Sequence, residues 1–282
     1  MSAHDSLHFR ILEDIAHELS GDINFPTCMD AALLVRNTLK DPFANIDRVV
    51  RVVSVEPLIS SKLLRLANSV AYNPSGKTIS DLGTAIGRIG FDSVRTISLA
   101  VAMDQMLKSR NLAQYESIAH HAWTHSLTVA AIARVLARRI GRINPEDAMM
   151  AGLVHDIGVF YLLYRAAEYP EYRSNPEAMM ELLCGWHEGV GESLLHALGI
   201  PERIIEAISD HDRLCNIETP CSVRDVLYFA NLLGGGDREW MGESGDADSQ
   251  ELREADRARF QDLVQEAEDD IHELRSALGI RP

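Results

Sequence analysis

The sequence predicts an all-α fold, a bundle of many helices, and three observations support this prediction. Apolar residues recur at spacings of three and four along most of the chain, which is the period of a helix with one buried face. No segment shows the apolar-polar alternation of a strand, and no alternation of strands with helices appears. Proline, glycine and capping residues also fall where helices should begin and end.

The first 110 residues contain several closely spaced helical patterns. Apolar spacing runs over residues 33–55 with a break at Asp41-Pro42, and Asn45 is a suitable N-cap for the stripe that begins at Ile46. Glu56-Pro57 should end this helix, because the residue before proline disfavours helical backbone. Further helices are predicted over 60–71, over 82–89 up to Gly90, and over 94–107.

The second half predicts a long helix over 117–139, closed by Gly141, and a helix over 146–155 with Pro145 at its start. Side chains of consecutive helical residues diverge by about 100°, so adjacent residues there would share an ion only if it lay between them. Shorter helices are predicted over 177–184, 188–198, 202–211 and 222–233. A polar loop then leads to a tail helix over 251–278. This helix could pack back onto the domain or dock a partner, and its continuous apolar face favours packing back.

Three parts of the chain are therefore expected. Residues 1–110 would form an N-terminal helical module, residues 111–236 a helical core with the spaced histidines, and residues 237–282 an acidic loop with an amphipathic helix. The formal net charge is −15, and the tail over 237–282 holds 14 acidic and 6 basic residues. This balance argues against a broad electrostatic grip on nucleic acid.

Cysteine usage and hydropathy predict a soluble, cytoplasmic protein without membrane contact. The four cysteines form no Cys-x-x-Cys pair, which is typical of reduced thiols. The first ten residues lack the apolar stretch of a signal peptide, and no apolar run approaches the ~18 residues that span a bilayer.

His155 and Asp156 are the most informative residues, because they interrupt an apolar run over 152–158. Burying both would be costly without a cation or polar partners, and imidazole with carboxylate suits first-row transition metals. His125, His187 and His211 surround the pair at wide spacing. Two simpler interpretations stay open: His125 is a hydrogen-bonded core residue, and the pair only ties helices together. His120 and His121 are expected to be exposed or to lie outside the ligand set.

The order of these residues resembles the HD superfamily of metal-dependent phosphohydrolases, and in particular its HD-related output domain branch, HDOD. The resemblance rests on Lys62-Leu63-Leu64-Arg65-Leu66-Ala67-Asn68-Ser69, Ala85-Ile86-Gly87-Arg88-Ile89-Gly90, Gly152-Leu153-Val154-His155-Asp156-Ile157-Gly158 and Phe229-Ala230-Asn231. It implies divalent metal ligands at His125, His155, Asp156 and Asn231, and matches His187 and His211 to extra histidines of two-metal relatives. The metal would be Fe, Mn, Zn or Mg.

The chain departs from the enzymes of that superfamily in ways that bear on catalysis. Asn231 offers a neutral oxygen where the enzymes supply a carboxylate, and Val159 stands where two-metal relatives carry a lysine that can face phosphate. Asp212 replaces the second histidine of their His-His pair, and their Gly-Tyr-Pro signature is missing. Phosphoryl transfer depends on electrostatic stabilisation of phosphate oxygens, so these losses favour a protein without catalysis.

Three functions remain as hypotheses. The preferred one is a non-catalytic HDOD signal-transduction module that binds a signalling protein or a nucleotide-like ligand, with no assigned catalytic residue. The alternative is a metal-dependent phosphohydrolase or cyclic nucleotide phosphodiesterase. A structural scaffold is the third.

Overall fold

The computed structural model describes residues 3–20, 29–209, 211–213, 215–235 and 247–278, and every regular element in these ranges is a helix. The helices of the N-terminal part are α1 (Ala3–Ser20), α2 (Asp30–Leu39), α3 (Ile46–Val53), α4 (Pro57–Ala67) and α5 (Leu82–Leu107). Next come a 3-10 turn (Arg110–Tyr115), α6 (Glu116–Ile140), α7 (Pro145–Val154), α8 (Ile157–Ala166), α9 (Pro170–Arg173), α10 (Pro176–Ala197), α11 (Glu202–Ile208), α12 (Val223–Leu233), α13 (Ala247–Arg259) and α14 (Asp262–Leu278). The all-α prediction is confirmed. The division at residues 110 and 236 stays a prediction.

Helix boundaries follow the capping residues of the sequence. The Asn45 side chain accepts a hydrogen bond from the Arg48 amide and caps α3, as the sequence predicts. Helix α3 ends at Val53, before Glu56-Pro57. Pro57 occupies the first position of α4, where its missing N–H costs nothing. At Gly90 a positive φ of 81° kinks α5, so the predicted stop becomes a bend between two helical segments.

The second half differs from the prediction in three places. The segments predicted over 177–184 and 188–198 form one helix, α10, because Gly185 between them stays helical and does not end it. The predicted tail helix divides into α13 and α14, with a break at Phe260-Gln261. No helix is predicted over the α8 range, where an uninterrupted buried apolar run shows no one-sided period.

The most specific N-terminal motif has a structural role in the described fold. Asn68 accepts a hydrogen bond from the Ile79 amide at 2.8 Å and donates from its side-chain nitrogen to the Ile79 and Leu64 carbonyls, both at 2.8 Å. These bonds tie the connection before α5 to the end of α4. The motif therefore stabilises the N-terminal helices, and these contacts do not indicate a catalytic role for it.

A buried polar network joins the N-terminal helices to α6, α7 and α14. Glu146, in the first turn of α7, accepts hydrogen bonds from Tyr72 at 2.8 Å and Ser93 at 2.9 Å. Its carboxylate also lies 3.3 Å from Arg134 of α6, which is 3.6 Å from Asp270 of α14. As the sequence predicts, the tail helix packs back, since Leu263, Ala267 and Leu274 are buried.

Two glycines bring the site's helices into close contact. A Cβ added at Gly152 of α7 would lie 2.7 Å from the Cα of Ala130 in α6, and one at Gly158 of α8 would overlap the His187 carbonyl oxygen of α10. Both contacts involve backbone atoms, which cannot yield by rotating a side chain.

Among the described residues, no helix combines the length and apolar composition needed to cross a membrane.

The Gly158→Ala variant is expected to lower the free energy of unfolding by about 1–3 kcal/mol, the usual cost of overpacking a close contact. Gly185→Ala is the matched control, because a Cβ at this exposed position of α10 meets nothing within 4 Å. Replacing a helical glycine there should stabilise the protein by roughly 0.5–1 kcal/mol. Urea unfolding measures both, and equal stabilities for the two variants would contradict the close-contact interpretation.

Candidate metal centre

All six residues predicted as metal ligands meet at one place between six helices. His125 lies on α6, His187 on α10 and Asn231 on α12, whereas His211 follows the end of α11. His155 and Asp156 form the junction between α7 and α8. His155, Asp156, His187, His211 and Asn231 are buried, and His125 is half-buried.

The His155-Asp156 junction corrects one sequence-based expectation. The two residues are not consecutive positions within a continuous helix, because α7 ends at Val154 and α8 begins at Ile157. Asp156 has φ −100° and ψ 18°, which departs from helical backbone. This departure brings the Asp156 Oδ2 to 3.2 Å from the His155 Nε2, so the two side chains face the same point.

Each of the four histidines has its Nδ1 beside a backbone carbonyl, and in three of them this carbonyl lies three or four residues earlier in the chain. The Nδ1 of His155 lies 2.8 Å from the Gly152 carbonyl, that of His187 2.8 Å from Leu183, and that of His211 3.0 Å from Ile208. The Nδ1 of His125 lies 3.2 Å from the Gly234 carbonyl. A carbonyl only accepts, so each Nδ1 carries the proton and each Nε2 keeps its lone pair in the neutral ring.

These Nε2 atoms converge on the Asp156 carboxylate. Its Oδ1 lies 3.2 Å from the His211 Nε2 and 3.9 Å from the His187 Nε2, and its Oδ2 faces His155. Lone pairs would thus face an anionic oxygen in a buried site, which is unfavourable unless protons or a cation lie between them. A divalent cation meets this need, and the orienting bonds at Nδ1 are those of metal-binding histidines.

Asn231 occupies the position that the resemblance implies. Its Oδ1 lies 2.9 Å from the His125 Nε2, and this nitrogen is also 3.3 Å from the His155 Nε2. The amide therefore lies beside the first group of ligands, so the replacement of carboxylate by amide is a change within the site. A neutral oxygen binds a hard cation more weakly than a charged one.

The charges of the site in the absence of a metal follow from burial and pairing. Burial opposes ionisation of Asp156, but the positive charge and hydrogen bond of His155, with the bond from His211, hold its pKa well below the ordinary value. Burial likewise opposes protonation of His211, yet its bond to Asp156 and the charge of Asp212 raise its pKa to about 9. Burial and the nearby positive charge of His155 lower the pKa of His125. A bound metal would displace the proton of His211.

The potential ligand atoms fall into two adjacent groups, each with its members within 4.8 Å of one another. One consists of His125, His155 and Asp156; the other consists of His187, Glu188, His211 and Asp212. Asp156 faces both, since its two oxygens address different histidines. Nitrogen and oxygen donors of this kind suit Zn, Mn or Fe, so the residues fit a pair of divalent ions.

Glu188 and Asp212 are absent from the ligand set predicted from the sequence. The Asp212 Oδ2 lies 3.3 Å from the His187 Nε2. Burial opposes ionisation of Asp212, but the bond to His187 and the charge of His211 together lower its pKa. One pattern could have revealed both carboxylates: each of three buried histidines is followed directly by an acidic residue. These dipeptides are His155-Asp156, His187-Glu188 and His211-Asp212.

Two arginines line a small cavity at the edge of the centre, where the sequence suggests no cation. Arg213 and Arg253 line a cavity of about 10 Å³, room for about one water molecule, together with His211, Asp212 and Asn231. Val159, which stands in place of a lysine, is fully buried in the core. Positive charge is therefore present near the centre, but from other elements than the one the relatives use.

The chain belongs to the HDOD family, since the HDOD domain family matches residues 25–214. A curated relative from Treponema pallidum (strain Nichols), an uncharacterised protein, is 21% identical over 220 residues that cover 74% of this chain. The chain spans 42% of the length of this relative.

Solved structures share the helical fold along nearly the whole chain. A protein from Shewanella amazonensis SB2B, provisionally named a metal-dependent phosphohydrolase, superposes with a TM-score of 0.77 at 22% identity, covering 99% of this chain and 100% of that one. An HDOD domain protein of unknown function from Geobacter sulfurreducens gives a TM-score of 0.58 at 22% identity, covering 96% and 98%. At these identities the likeness shows the fold alone.

We expect the wild-type protein to contain a stoichiometric divalent metal and the Asp156→Ala variant to lack it, because Asp156 faces both groups, whereas His155→Ala should lose the ion of the first group. Asp212→Ala should reduce the metal content without abolishing it, since this residue belongs to the second group only. Metal analysis by mass spectrometry on untagged protein measures this, with the exposed His196→Ala as control. A metal-free wild type after supplementation would leave a structural scaffold.

Proposed function

We propose that this chain is a regulatory HDOD module that binds divalent metal at its HD-type centre, takes up a nucleotide-like ligand there, and signals the bound state to a partner protein without turnover. The observation that carries the absence of turnover is the contact between Asn231 and His125 at 2.9 Å. It puts a neutral amide where the enzymes of the superfamily supply a charged ligand.

The proposed absence of turnover follows from weaker binding of the ion in the first group. Without a carboxylate on α12, this ion would rest on His125, His155 and the shared Asp156. When bound, divalent ions activate water and hold phosphate oxygens. A weakly bound ion activates water less and holds phosphate oxygens less firmly. Binding of a ligand, in contrast, needs only favourable contacts.

One solved relative supports the regulatory interpretation. A protein from Marinobacter aquaeolei VT8, provisionally named a signal transduction protein, has a TM-score of 0.60 at 18% identity and covers 99% of this chain. This chain covers 67% of that protein. The module proposed for this chain would pass its ligand state to a signalling protein by contact.

A second candidate, a metal-dependent phosphohydrolase, is favoured by a specific observation. Glu188 and Asp212 give the second ligand group two carboxylates, and Arg213 with Arg253 brings positive charge to its edge. These groups supply some of the charge that the substitutions at positions 231 and 159 remove. Catalysis would then depend mainly on the ion of the second group.

A phosphoester screen separates these two functions. Protein loaded with Mn²⁺, Fe²⁺ or Mg²⁺ is tested against nucleotide mono- and diesters, with Asp156→Ala, which removes the carboxylate facing both groups, prepared in the same way. We expect no turnover above the level of this variant. Turnover by the wild type that Asp156→Ala abolishes would overturn the regulatory proposal and establish the enzyme, whereas equal activity in both would indicate a contaminant.

Asn231→Asp should strengthen metal binding, by roughly tenfold in affinity if the added charge contributes about 1.4 kcal/mol. Competition with a chelator measures the change. Asn111→Asp, at an exposed position outside the centre, adds the same charge to the chain and should leave the affinity unchanged. Equal affinities for wild type and Asn231→Asp would show that the α12 side chain does not reach the ion.

A further inference from the structure

A cavity of about 700 Å³ opens beside the first group of metal ligands, along one face of α6. The described residues that line it are Ser117, Ile118, His120, His121, Thr124, His125, Thr128, Gly234 and Gly235. His125 belongs both to this wall and to the metal centre. The volume lies within the range of sites that hold small molecules of nucleotide size.

The polar groups of the cavity wall are imidazoles and hydroxyls. None of the described lining residues is acidic, although the chain carries 42 acidic residues and a formal net charge of −15. Imidazoles and hydroxyls dominate instead. The His121 Nδ1 lies 2.7 Å from the Ser117 carbonyl, so this ring is held in one orientation at the cavity wall. His120 and His121 are exposed, as the sequence predicts.

A guanidinium group reaches the same wall from the C-terminal helix. The Arg275 Nη2 of α14 lies 3.4 Å from the Thr128 Oγ1, whose hydroxyl donates to the Thr124 carbonyl at 2.9 Å. Arg275 is half-buried, and guanidinium binds phosphate oxygens well because of its planar set of donors. Arg275 thus contacts one residue of the cavity wall, Thr128, and another residue of the wall, His125, is a metal ligand.

The metal centre would add positive charge. Two divalent ions bring four positive charges against the three carboxylates of Asp156, Glu188 and Asp212, so the loaded centre would carry a formal +1. In a chain this acidic, such a site would favour an anion over a neutral ligand of the same size. This step depends on the metal binding proposed above.

We propose that the α6 cavity is the ligand site of the module and that it takes a phosphorylated small molecule of nucleotide size. The phosphate would lie between Arg275 and the metal centre, with the remainder along the imidazole and hydroxyl wall of α6. His121 is a specificity-determining residue in this arrangement, and Arg275 neutralises the phosphate. The ligand would therefore contact α14 as well as the metal centre.

The test is calorimetric titration of the metal-loaded full-length protein with adenosine 5′-monophosphate, adenosine and inorganic phosphate. The nucleotide should bind at least about tenfold more tightly than adenosine, a difference of about 1.4 kcal/mol. His121→Phe, which obstructs the cavity, and Arg275→Gln, which removes the cation, should each weaken binding of the nucleotide by about tenfold. His196→Phe and Arg142→Gln, at exposed positions outside the lining, are the matched controls.

Metal content, measured on every sample, separates this proposal from the metal-binding function. If the metal is present and both cavity variants bind the nucleotide as tightly as wild type, the cavity proposal is wrong and the metal centre stands. Failure of the loaded wild type to bind either the nucleotide or phosphate also overturns it. Tenfold weakening in both cavity variants, with normal metal content and unchanged controls, supports it.

Discussion

The buried carboxylate of Asp156 is the group on which the arrangement of the centre depends. An isolated ionised carboxylate in a protein interior costs several kcal/mol, so it requires compensating charge at short distance. Here His155 at the α7–α8 junction, His211 after α11 and His187 on α10 provide it, with nitrogens at 3.2 Å, 3.2 Å and 3.9 Å. Each of these rings is oriented by a carbonyl of its own chain segment, three or four residues earlier. The geometry of the centre is therefore fixed by backbone.

That dependence explains why the surrounding helices are held so closely. Gly152 lets α7 touch α6, and Gly158 lets α8 touch α10, at the backbone beside His187. The Glu146 network fixes the other end of α7 against Tyr72 and Arg134. A shift of one helix by a methyl group's width would move a histidine nitrogen by a comparable distance. The close helix packing and the Glu146 network therefore both keep the histidine nitrogens in position around Asp156.

Periodicity and capping in the sequence were sufficient for the fold class and for most helices, because these signals are local. The α3 cap at Asn45 and the end of α6 at Gly141 follow from single residues. The continuous α10 could not be predicted, because a local pattern does not show whether a helix continues through a glycine such as Gly185. Residues 157–163 of α8 are all buried, so this stretch has no polar face and gives no periodic signal.

The candidate centre could be predicted only in part from the sequence, for a similar reason. The order of histidines indicated which residues could converge, and the structure brings all six together. The non-helical backbone of Asp156 could not be read from an apolar run, and it determines where the carboxylate points. Glu188 and Asp212 were visible only as neighbours of histidines. Arg253 lies on α13, far along the chain, so only the tertiary fold places it beside Asp212.

Burial of the ligands has a kinetic consequence. His187 and His211 are 1% and 6% exposed, so an ion of the second group, unlike one of the first group beside the α6 cavity, could depart only when neighbouring helices separate. Such openings are governed by local stability, not by the strength of the coordination bonds. Exchange would then be slow even where affinity is modest, and the metal found in the protein would record which ions were abundant when the chain folded.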